Sequence, residues 1–384
     1  MCKDTVSFFD TTCRDGKQAP GNNHGPSDTV RIARLASQMG ISVFEAGFAA
    51  SSSLDFESVS RTASEVSGII VCSLARTLEQ DIIASARALE NAVTSPRLHT
   101  FIATSDLHLL YKLRLSRDEA LEAAVHAVSQ ARTYVDDVQF SAEDATRTDP
   151  QYLAAVVREV ILAGARTINL PDTVGYATPS EIAAMVTNIL ENVPEVREYK
   201  VTLSVHCHND LGLATANTLA GVKAGARQVE CTVNGIGERA GNTHYAEVLM
   251  ALVTRSDYFG ISHNLDTKVI GQMAQLVSTV IGKNIPDTLP IVGEHVFAHG
   301  AGIHQHGVLT NPLVYEIMSP ELVGWIAERF PLSSQSGRHG LERRLQVLGY
   351  TLTASALGDC YKDFLKLAET KVLVSDADLH TLFR

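Results

Sequence analysis

One rhythm dominates the first two thirds of the chain. Short runs rich in β-branched and aromatic residues alternate with longer stretches whose apolar residues recur three and four positions apart. The runs are VSFF (6–9), SVFEAGF (42–48), GIIVCSLA (68–75), LHTFIAT (98–104), DDVQFSA (136–142), TINL (167–170), VTLSVHC (201–207) and QVECTVN (228–234). Between them lie stretches such as DTVRIARLASQMG, LEQDIIASARALENA, RDEALEAAVHAVSQA and PSEIAAMVTNILENV. Gly40, Gly164 and Gly225 stand where such helices would stop. Eight strand–helix units in about 255 residues match a (β/α)8 TIM barrel in number and length. An open, doubly wound parallel sheet satisfies the same alternation.

After the eighth unit the rhythm lapses. Residues 258–290 read as helix and then loop, followed by a histidine-rich stretch, GEHVFAHGAGIHQHG, and a last segment that reads as a small, mostly helical appendage. The expected organisation is a catalytic barrel over 1–272, a linker subdomain over 273–325 and a helical subdomain over 326–384. A chain of 384 residues that is 45% hydrophobic can bury a sizeable core. Its 43 acidic and 32 basic side chains give a net charge of −11 with no Lys/Arg run, which argues against general nucleic-acid binding. No apolar run approaches a membrane span and no signal-peptide pattern opens the chain, so a cytoplasmic protein without membrane contact is expected. Cys2, Cys13, Cys72, Cys207, Cys231 and Cys360 are scattered without a C-x-x-C pair and read as reduced thiols.

Barrel enzymes place their working residues at the C-terminal ends of the strands. Thr11, Thr12, Arg14, Asp15 and Lys17 follow the first run, and His99 lies on the fourth. Ser141, Glu143 and Asp144 end the fifth, and Asn169, Asp172 and Thr173 end the sixth. His206, His208, Asn209 and Asp210 end the seventh, and Asn234, Glu238, Arg239 and Asn242 follow the eighth. Polar side chains therefore collect at one end of the expected barrel.

Within VHCHND, His206 and His208 are two apart on a strand, face the same way and can share one ligand. Two hydrogen-bonded core histidines would leave the same pattern. Cys207 between them points to the other face and reads as a buried structural thiol. In a closed barrel the eighth strand lies between the seventh and the first, so Asp15 and Asn242 can converge with the two imidazoles. A carboxylate, two imidazoles and an amide oxygen suit a divalent Mn, Mg or Zn site. NGIGERAGN allows a competing reading, because Gly235, Gly237 and Ala240 fit the dinucleotide fingerprint G-x-G-x-x-A. It falls in the eighth unit, not at the start of a βαβαβ half, and reads better as backbone brought close to a ligand, with Gly235, Gly237, Glu238 and Arg239 as cofactor-binding positions. His295, His299, His304 and His306 offer the ingredients of a second zinc site without a closed ligand set.

Taken in order, DTTCRDGKQAPG, HTFIATS, FSAEDATRT, INLPDTVGYATP, HCHNDLGLATANTLAGVKAGARQVECTVNGIGERAGN and FAHGAGIHQHGVLTNPLVYEIMSPELVG resemble the metal-dependent 2-isopropylmalate, homocitrate and citramalate synthases, with the closest likeness to 2-isopropylmalate synthases. The resemblance implies a Claisen-type condensation of acetyl-CoA, as co-substrate, with a 2-oxo acid to give a 2-alkylmalate and CoA. It places the metal ligands on Asp15, His206, His208 and Asn242. It places the arginine that pairs with the oxo acid on Arg14, pocket positions on His99, Ser141, Glu143, Asn169, Pro171 and Thr173, and the catalytic histidine and tyrosine on His304 and Tyr315. His304 is the candidate base for the thioester's methyl proton, with Tyr315 or Glu143 expected to assist it. The resemblance further implies a homodimer whose sites are shared between subunits. Lys17 and Arg239 are expected to add positive charge for two anionic substrates.

Departures from the family pattern bear on the oxo acid. Lys17 stands where many relatives carry Glu, Ala49 replaces a frequent proline, His306 replaces a usual Asp, and GNNHGPS is unusual. With Leu74 as an apolar wall, a relaxed loop at Ala49 and SSSLDF is expected to admit a bulkier acid, phenylpyruvate giving benzylmalate, as the alternative to 2-oxoisovalerate. Homocitrate or citramalate formation and a catalytically silent binding relative complete the alternatives. Full-length relatives continue into a regulatory domain, so leucine feedback is expected to be absent.

Overall fold

The computed structural model describes residues 4–325, 331–371 and 373–383. Cys2 lies outside the described residues. The chain divides into two compact units, Met1–Asn284 and Ile285–Arg384.

Eight strands make up the centre of the first unit: β1 (Ser7–Asp10), β2 (Val43–Gly47), β3 (Ile70–Arg76), β4 (Arg97–Ala103), β5 (Asp137–Glu143), β6 (Thr167–Asp172), β7 (Thr202–Cys207) and β8 (Gln228–Cys231). They form a closed barrel in sequence order. Closure is made by parallel pairing of β1 with β8, in register from Ser7 on Gln228 to Asp10 on Cys231, which rules out the open sheet. β8 is shorter than its sequence run because Asn234 adopts φ 57° in a tight turn over Val233–Gly235.

Each strand is followed by a helix: α1 (Pro26–Met39), α2 (Ser53–Glu65), α3 (Glu79–Leu89), α4 (Arg117–Ala131), α5 (Pro150–Ala163), α6 (Pro179–Asn192), α7 (Ala214–Ala224) and α8 (Tyr245–Thr254). Their limits follow local chemistry. α5 starts where the Asp149 side chain accepts from the Tyr152 N–H and Pro150 takes the first turn, and it stops at Gly164 with φ 117°. α4 opens with a reciprocal Ser116–Glu119 capping box. Gly40 and Gly225 end α1 and α7 with positive φ, as expected from sequence.

Side chains alternate along the strands. Phe8, Phe44, Val71, Leu98, Phe140, Ile168, Val205 and Val229 are buried. A Cβ at Gly221 of α7 would come within 2.8 Å of Val205, so this face of β7 lies against its helix. The other face looks into the barrel and is polar at its centre, with Arg97, Gln139, Ser204, Gln228 and Glu230 all buried.

A further helix, α9 (Ile270–Ile281), buries Ile270, Met273, Ala274 and Val277 and belongs to the first unit. It runs through residue 272, where the barrel was expected to end. The second unit contains α10 (Gly302–Thr310), α11 (Arg338–Val347), α12 (Ala354–Ala368) and α13 (Asp376–Thr381). Its core is a cluster of Leu332, Leu341, Leu345, Leu357, Phe364, Ala368, Val374 and Leu379. No helix among the described residues is long and apolar enough to cross a membrane.

Candidate active site

A cavity of about 260 Å³ lies among residues from the C-terminal ends of the strands; its lining includes Arg14, Asp15, Leu74, His99, Ser141, Glu143, Asn169, Pro171, Thr173, His206, His208, Glu238 and Arg239. Every residue expected to bind the oxo acid is among them. The cavity also takes in Gln18, Phe101, Lys112 and Glu230, which sequence reasoning did not single out.

Asp15 is the hub on one side. Its Oδ2 lies 3.2 Å from His206 Nε2 and 3.8 Å from His208 Nε2. The three side chains are buried and offer ligand atoms that all fall within 4.8 Å of one another, close enough to hold one metal ion. Cys207 is fully buried on the opposite face of β7 and is not part of this group; burial pushes its thiol pKa up. Asn242 is brought beside His208 by an isolated antiparallel bridge. Its Nδ2 donates to the Ile236 carbonyl, while its buried Oδ1 has no hydrogen-bond partner. A buried amide oxygen left without a donor is costly, and a cation held by Asp15 and the two histidines would satisfy it. The donor set therefore fits a divalent ion with mixed nitrogen and oxygen ligands.

The glycines of NGIGERAGN serve this arrangement. A Cβ on Gly237 would sit 2.1 Å from Asn242 Nδ2, and one on Gly241, at φ 90°, would sit 2.0 Å from the Gly235 carbonyl oxygen. The loop folds onto itself around Asn242, and among the described residues the strands close into a barrel and leave no open βαβαβ sheet to receive a dinucleotide. Gly235 and Gly237 are thus seen packing the loop, whereas Glu238 and Arg239 reach the cavity. Arg239 is engaged by Asp210 at 2.8 and 3.0 Å and donates to the Thr173 carbonyl.

Arg14 joins the two sides of the mouth. Its Nε donates to Glu45 Oε2 at 2.5 Å, and its Nη1 lies 3.3 Å from Asp15 Oδ2. Glu45 also meets His99 Nδ1 at 2.7 Å, and His99 Nε2 meets Ser141 Oγ at 2.7 Å. Asn169 Nδ2 completes the row on Ser141 at 2.9 Å. Burial works against the charge on Glu45, but Arg14 and His99 outweigh it and lower its pKa. Asp15 behaves the same way: Arg14 first, then His206 and His208, overcome burial and hold its pKa far below the usual carboxylate range. The two imidazoles diverge. Burial depresses both, but hydrogen bonds to Asp15 and Glu230 lift His206 to about 9, while His208, repelled by His206, falls to about 4.

Several polar residues at this end hold loops and do not line the cavity. Thr12 Oγ1 accepts from the Val233 N–H at 2.9 Å and Thr11 Oγ1 donates to the Cys231 carbonyl, tying the loop after β1 to β8. Asp172 accepts from the backbone N–H groups of Tyr176 and Ala177, and Asn209 from that of Ala214. Lys17 was expected to bring positive charge to the site; it pairs with Asp55 at 2.6 Å and does not line the cavity. Ala49, which is buried, and the exposed serines after it are likewise absent from the lining. The expectation that this loop widens the pocket is therefore not supported. Phe101, one residue pair along β4 from His99, fills part of the wall.

In the second unit, His304 and Tyr315 are both exposed and their rings lie 4.6 Å apart. His299 meets Glu316 at 3.1 Å, and His306 lies against His339. Among the described residues, no metal-binding group forms from His295, His299, His304 and His306.

Residues 5–277 match the HMGL-like family, and residues 291–372 match the homocitrate synthase post-HMGL domain-like family. The chain is 50% identical to the 2-isopropylmalate synthase of Aquifex aeolicus over 98% of its own length and 72% of the relative's. It is 48% identical to 2-isopropylmalate synthase 1 of Caldanaerobacter subterraneus subsp. tengcongensis, covering 97% of this chain and 94% of that protein. Among solved structures, hydroxymethylglutaryl-CoA lyase from Pseudomonas aeruginosa matches with a TM-score of 0.62 at 22% identity, over 74% of this chain and 95% of that one, which is a likeness of fold.

Proposed function

The chain belongs to the 2-isopropylmalate synthase family, and from that premise we propose that it condenses acetyl-CoA with a 2-oxo acid, 2-oxoisovalerate before others, releasing a 2-alkylmalate and CoA. The observation that carries the reading is the meeting of Asp15, His206 and His208 beside Arg14 in one cavity. Asp15, His206, His208 and the free amide oxygen of Asn242 would hold a divalent cation, which supplies polarisation of the substrate carbonyl when bound.

The protein's own residues supply the rest. Arg14, held rigid by Glu45, presents guanidinium N–H groups to the oxo acid's carboxylate. Ser141, His99 and Asn169 form a fixed hydrogen-bonding wall, and Leu74, Phe101 and Pro171 face the aliphatic side chain. A base must take a methyl proton from the thioester. His304 is assigned that role with Tyr315, supplied by the second unit of a partner copy in a homodimer. Glu143, whose Oε1 meets Lys112 Nζ at 2.5 Å, is positioned to assist. The new carbon–carbon bond turns the carbonyl oxygen into an alkoxide beside Arg14, and water then cleaves the thioester and frees CoA. Gly235 and Gly237 are kept as backbone neighbours of the co-substrate, with Glu238 and Arg239 at the rim.

The test is CoA release with 2-oxoisovalerate, phenylpyruvate, pyruvate and 2-oxoglutarate, before and after chelation. Turnover should require Mn or Mg. A kcat/KM at least tenfold higher for 2-oxoisovalerate than for phenylpyruvate, about 1.4 kcal/mol, is expected from a wall that includes Phe101 and excludes Ala49. The reverse preference would restore the benzylmalate reading, and no turnover on any acid would favour a silent binding relative.

A further inference from the structure

The two histidines at the candidate metal centre are supported unequally. His208 Nδ1 is buried and has no hydrogen-bond partner among the described residues. His206 Nδ1 lies 3.1 Å from Glu230 Oε2, and its other nitrogen faces Asp15. Glu230 sits on β8 at 1% exposure, and nothing about its neighbours in sequence requires an acid there. Its second oxygen, Oε1, accepts from Gln139 Nε2 at 2.5 Å.

The orientation of Gln139 is fixed from below. Its Oε1 accepts from Arg97 Nη1 and from Gln228 Nε2, each at 2.9 Å. Arg97 also donates to Gln228 Oε1 at 2.7 Å and to Asp137 Oδ2 at 2.9 Å. A hydrogen-bonded column thus runs inside the barrel from Asp137 through Arg97 and Gln139 to Glu230 and His206. Each amide in it has one orientation that satisfies its neighbours. At the top, Glu230 receives N–H donors on both oxygens, a role only an acceptor-only group fills.

We propose that Glu230 is the positioning residue of the centre, holding His206 by Nδ1–H so that the Nε2 lone pair is aimed at a cation shared with Asp15. The inference rests on reading Asp15, His206 and His208 as cation ligands. It gives Glu230→Gln a definite consequence. The new amide must turn either its oxygen or its nitrogen toward Gln139, whose N–H is fixed. With its oxygen toward Gln139, its nitrogen donates to His206 Nδ1 and forces the wrong tautomer. With its oxygen toward His206, two donors face each other at Gln139. Carboxylates in this relation to a ligating histidine are worth on the order of 10–100-fold in metal affinity.

The experiment measures Mn²⁺ dissociation constants on the full chain from the free-ion paramagnetic signal, with urea midpoints for each variant. Wild type should bind, and Asp15→Asn should lose most affinity. Glu230→Gln should bind about 10–100-fold more weakly, with turnover recovering when Mn²⁺ is raised to saturation. Glu230→Asp, which keeps the charge but withdraws it, should fall between the two and serves if Glu230→Gln does not fold. A folded Glu230→Gln, or failing that a folded Glu230→Asp, with wild-type Mn²⁺ affinity overturns the inference while leaving the ligand assignment intact. Equal binding by wild type and Asp15→Asn overturns the ligand assignment itself.

Discussion

In the second unit, Leu332, Leu341, Leu345, Leu357, Phe364 and Leu379 close on one another, and ion pairs such as Arg344 with Asp376 stand at least partly in solvent. Inside the barrel the arrangement is inverted. Asp15, Glu45, Arg97, His99, His206 and Glu230 are buried, and the apolar strand faces are turned outward onto the helices. Buried charge is expensive, and its cost falls only when every charge meets a partner. The cluster at the centre of the second unit is apolar and contains no charged side chain. The barrel tolerates charge at its centre because each of these groups meets a partner of opposite charge, as Arg14 meets Glu45 and Asp15, Arg97 meets Asp137, and His206 lies between Asp15 and Glu230. The difference also separates two kinds of mutational response, since an apolar core fails by leaving cavities and a charged one by leaving a charge unpaired.

The largest effect should come from Arg14→Met. It removes the guanidinium that both Glu45 and Asp15 use, leaving buried carboxylates facing each other's field. Breaking a buried pair in this way costs about 3–5 kcal/mol, and the oxo acid loses its carboxylate partner as well. CoA release should fall by about a thousandfold or more, the equivalent of some 4 kcal/mol, and the urea midpoint should drop. Adding Glu45→Gln should recover much of the stability and none of the activity. A single variant that unfolds with the wild-type midpoint would show that the Arg14–Glu45 pair is not the structural joint it looks like.

Phe364→Ala probes the other interior. Phe364 is fully buried in α12 and stacks near Tyr361. Truncation should cost about 3–5 kcal/mol through lost contacts and a residual cavity. The Mn²⁺ affinity of the barrel should not change, because all four proposed ligands belong to the first unit. Calorimetry and the Mn²⁺ titration check the two halves of the statement, and a weakened Mn²⁺ affinity would break the contrast between the interiors.

Sequence made the barrel legible because period-two and period-three-to-four patterns alternate without interruption, and because Gly40, Gly164 and Gly225 mark three helix ends. The mouth was legible where polar residues end the strands: His99, Ser141, Asn169 and His206 all line the cavity. The interior column was missed. Gln139 and Glu230 lie within apolar runs, where each reads as a lone polar residue on a strand, and so does Glu45, which joins Arg14 to His99. Their meaning depends on which strands become neighbours across the barrel, and only closure brings Gln139 of β5 to Glu230 of β8. The signal was present all the same, since an acid in the middle of an otherwise buried strand has to be paired. Lys17 misled for the opposite reason. Its position in the motif suggested the cavity, but Asp55, distant in sequence, draws it aside.

Asp10 gives the smallest effect and tests the rule from the other side. It ends β1 at 4% exposure, accepts from the Thr12 N–H at 2.8 Å, and has no paired cation among the described residues. Buried Cys13, Cys231 and Tyr245 feel its charge and offer nothing to neutralise it. Burial raises its carboxyl from 3.8 to about 6, in contrast to Asp15 and Glu45, which are paired and lowered. A carboxyl raised on folding binds a proton more tightly in the native state. Its contribution is therefore most favourable below about pH 4 and is lost as pH rises through about 6, to the extent of about 2–3 kcal/mol at neutrality. Asp10→Asn keeps an acceptor for Thr12 and cannot ionise. It should match wild type near pH 4 and become the more stable protein by pH 7, with the gap opening between those values in urea titrations. A wild-type-minus-variant difference that stays flat across that range would mean that Asp10 finds compensation in the folded barrel, and that unpaired charge costs less there than the pairing of Asp15 and Glu45 implies.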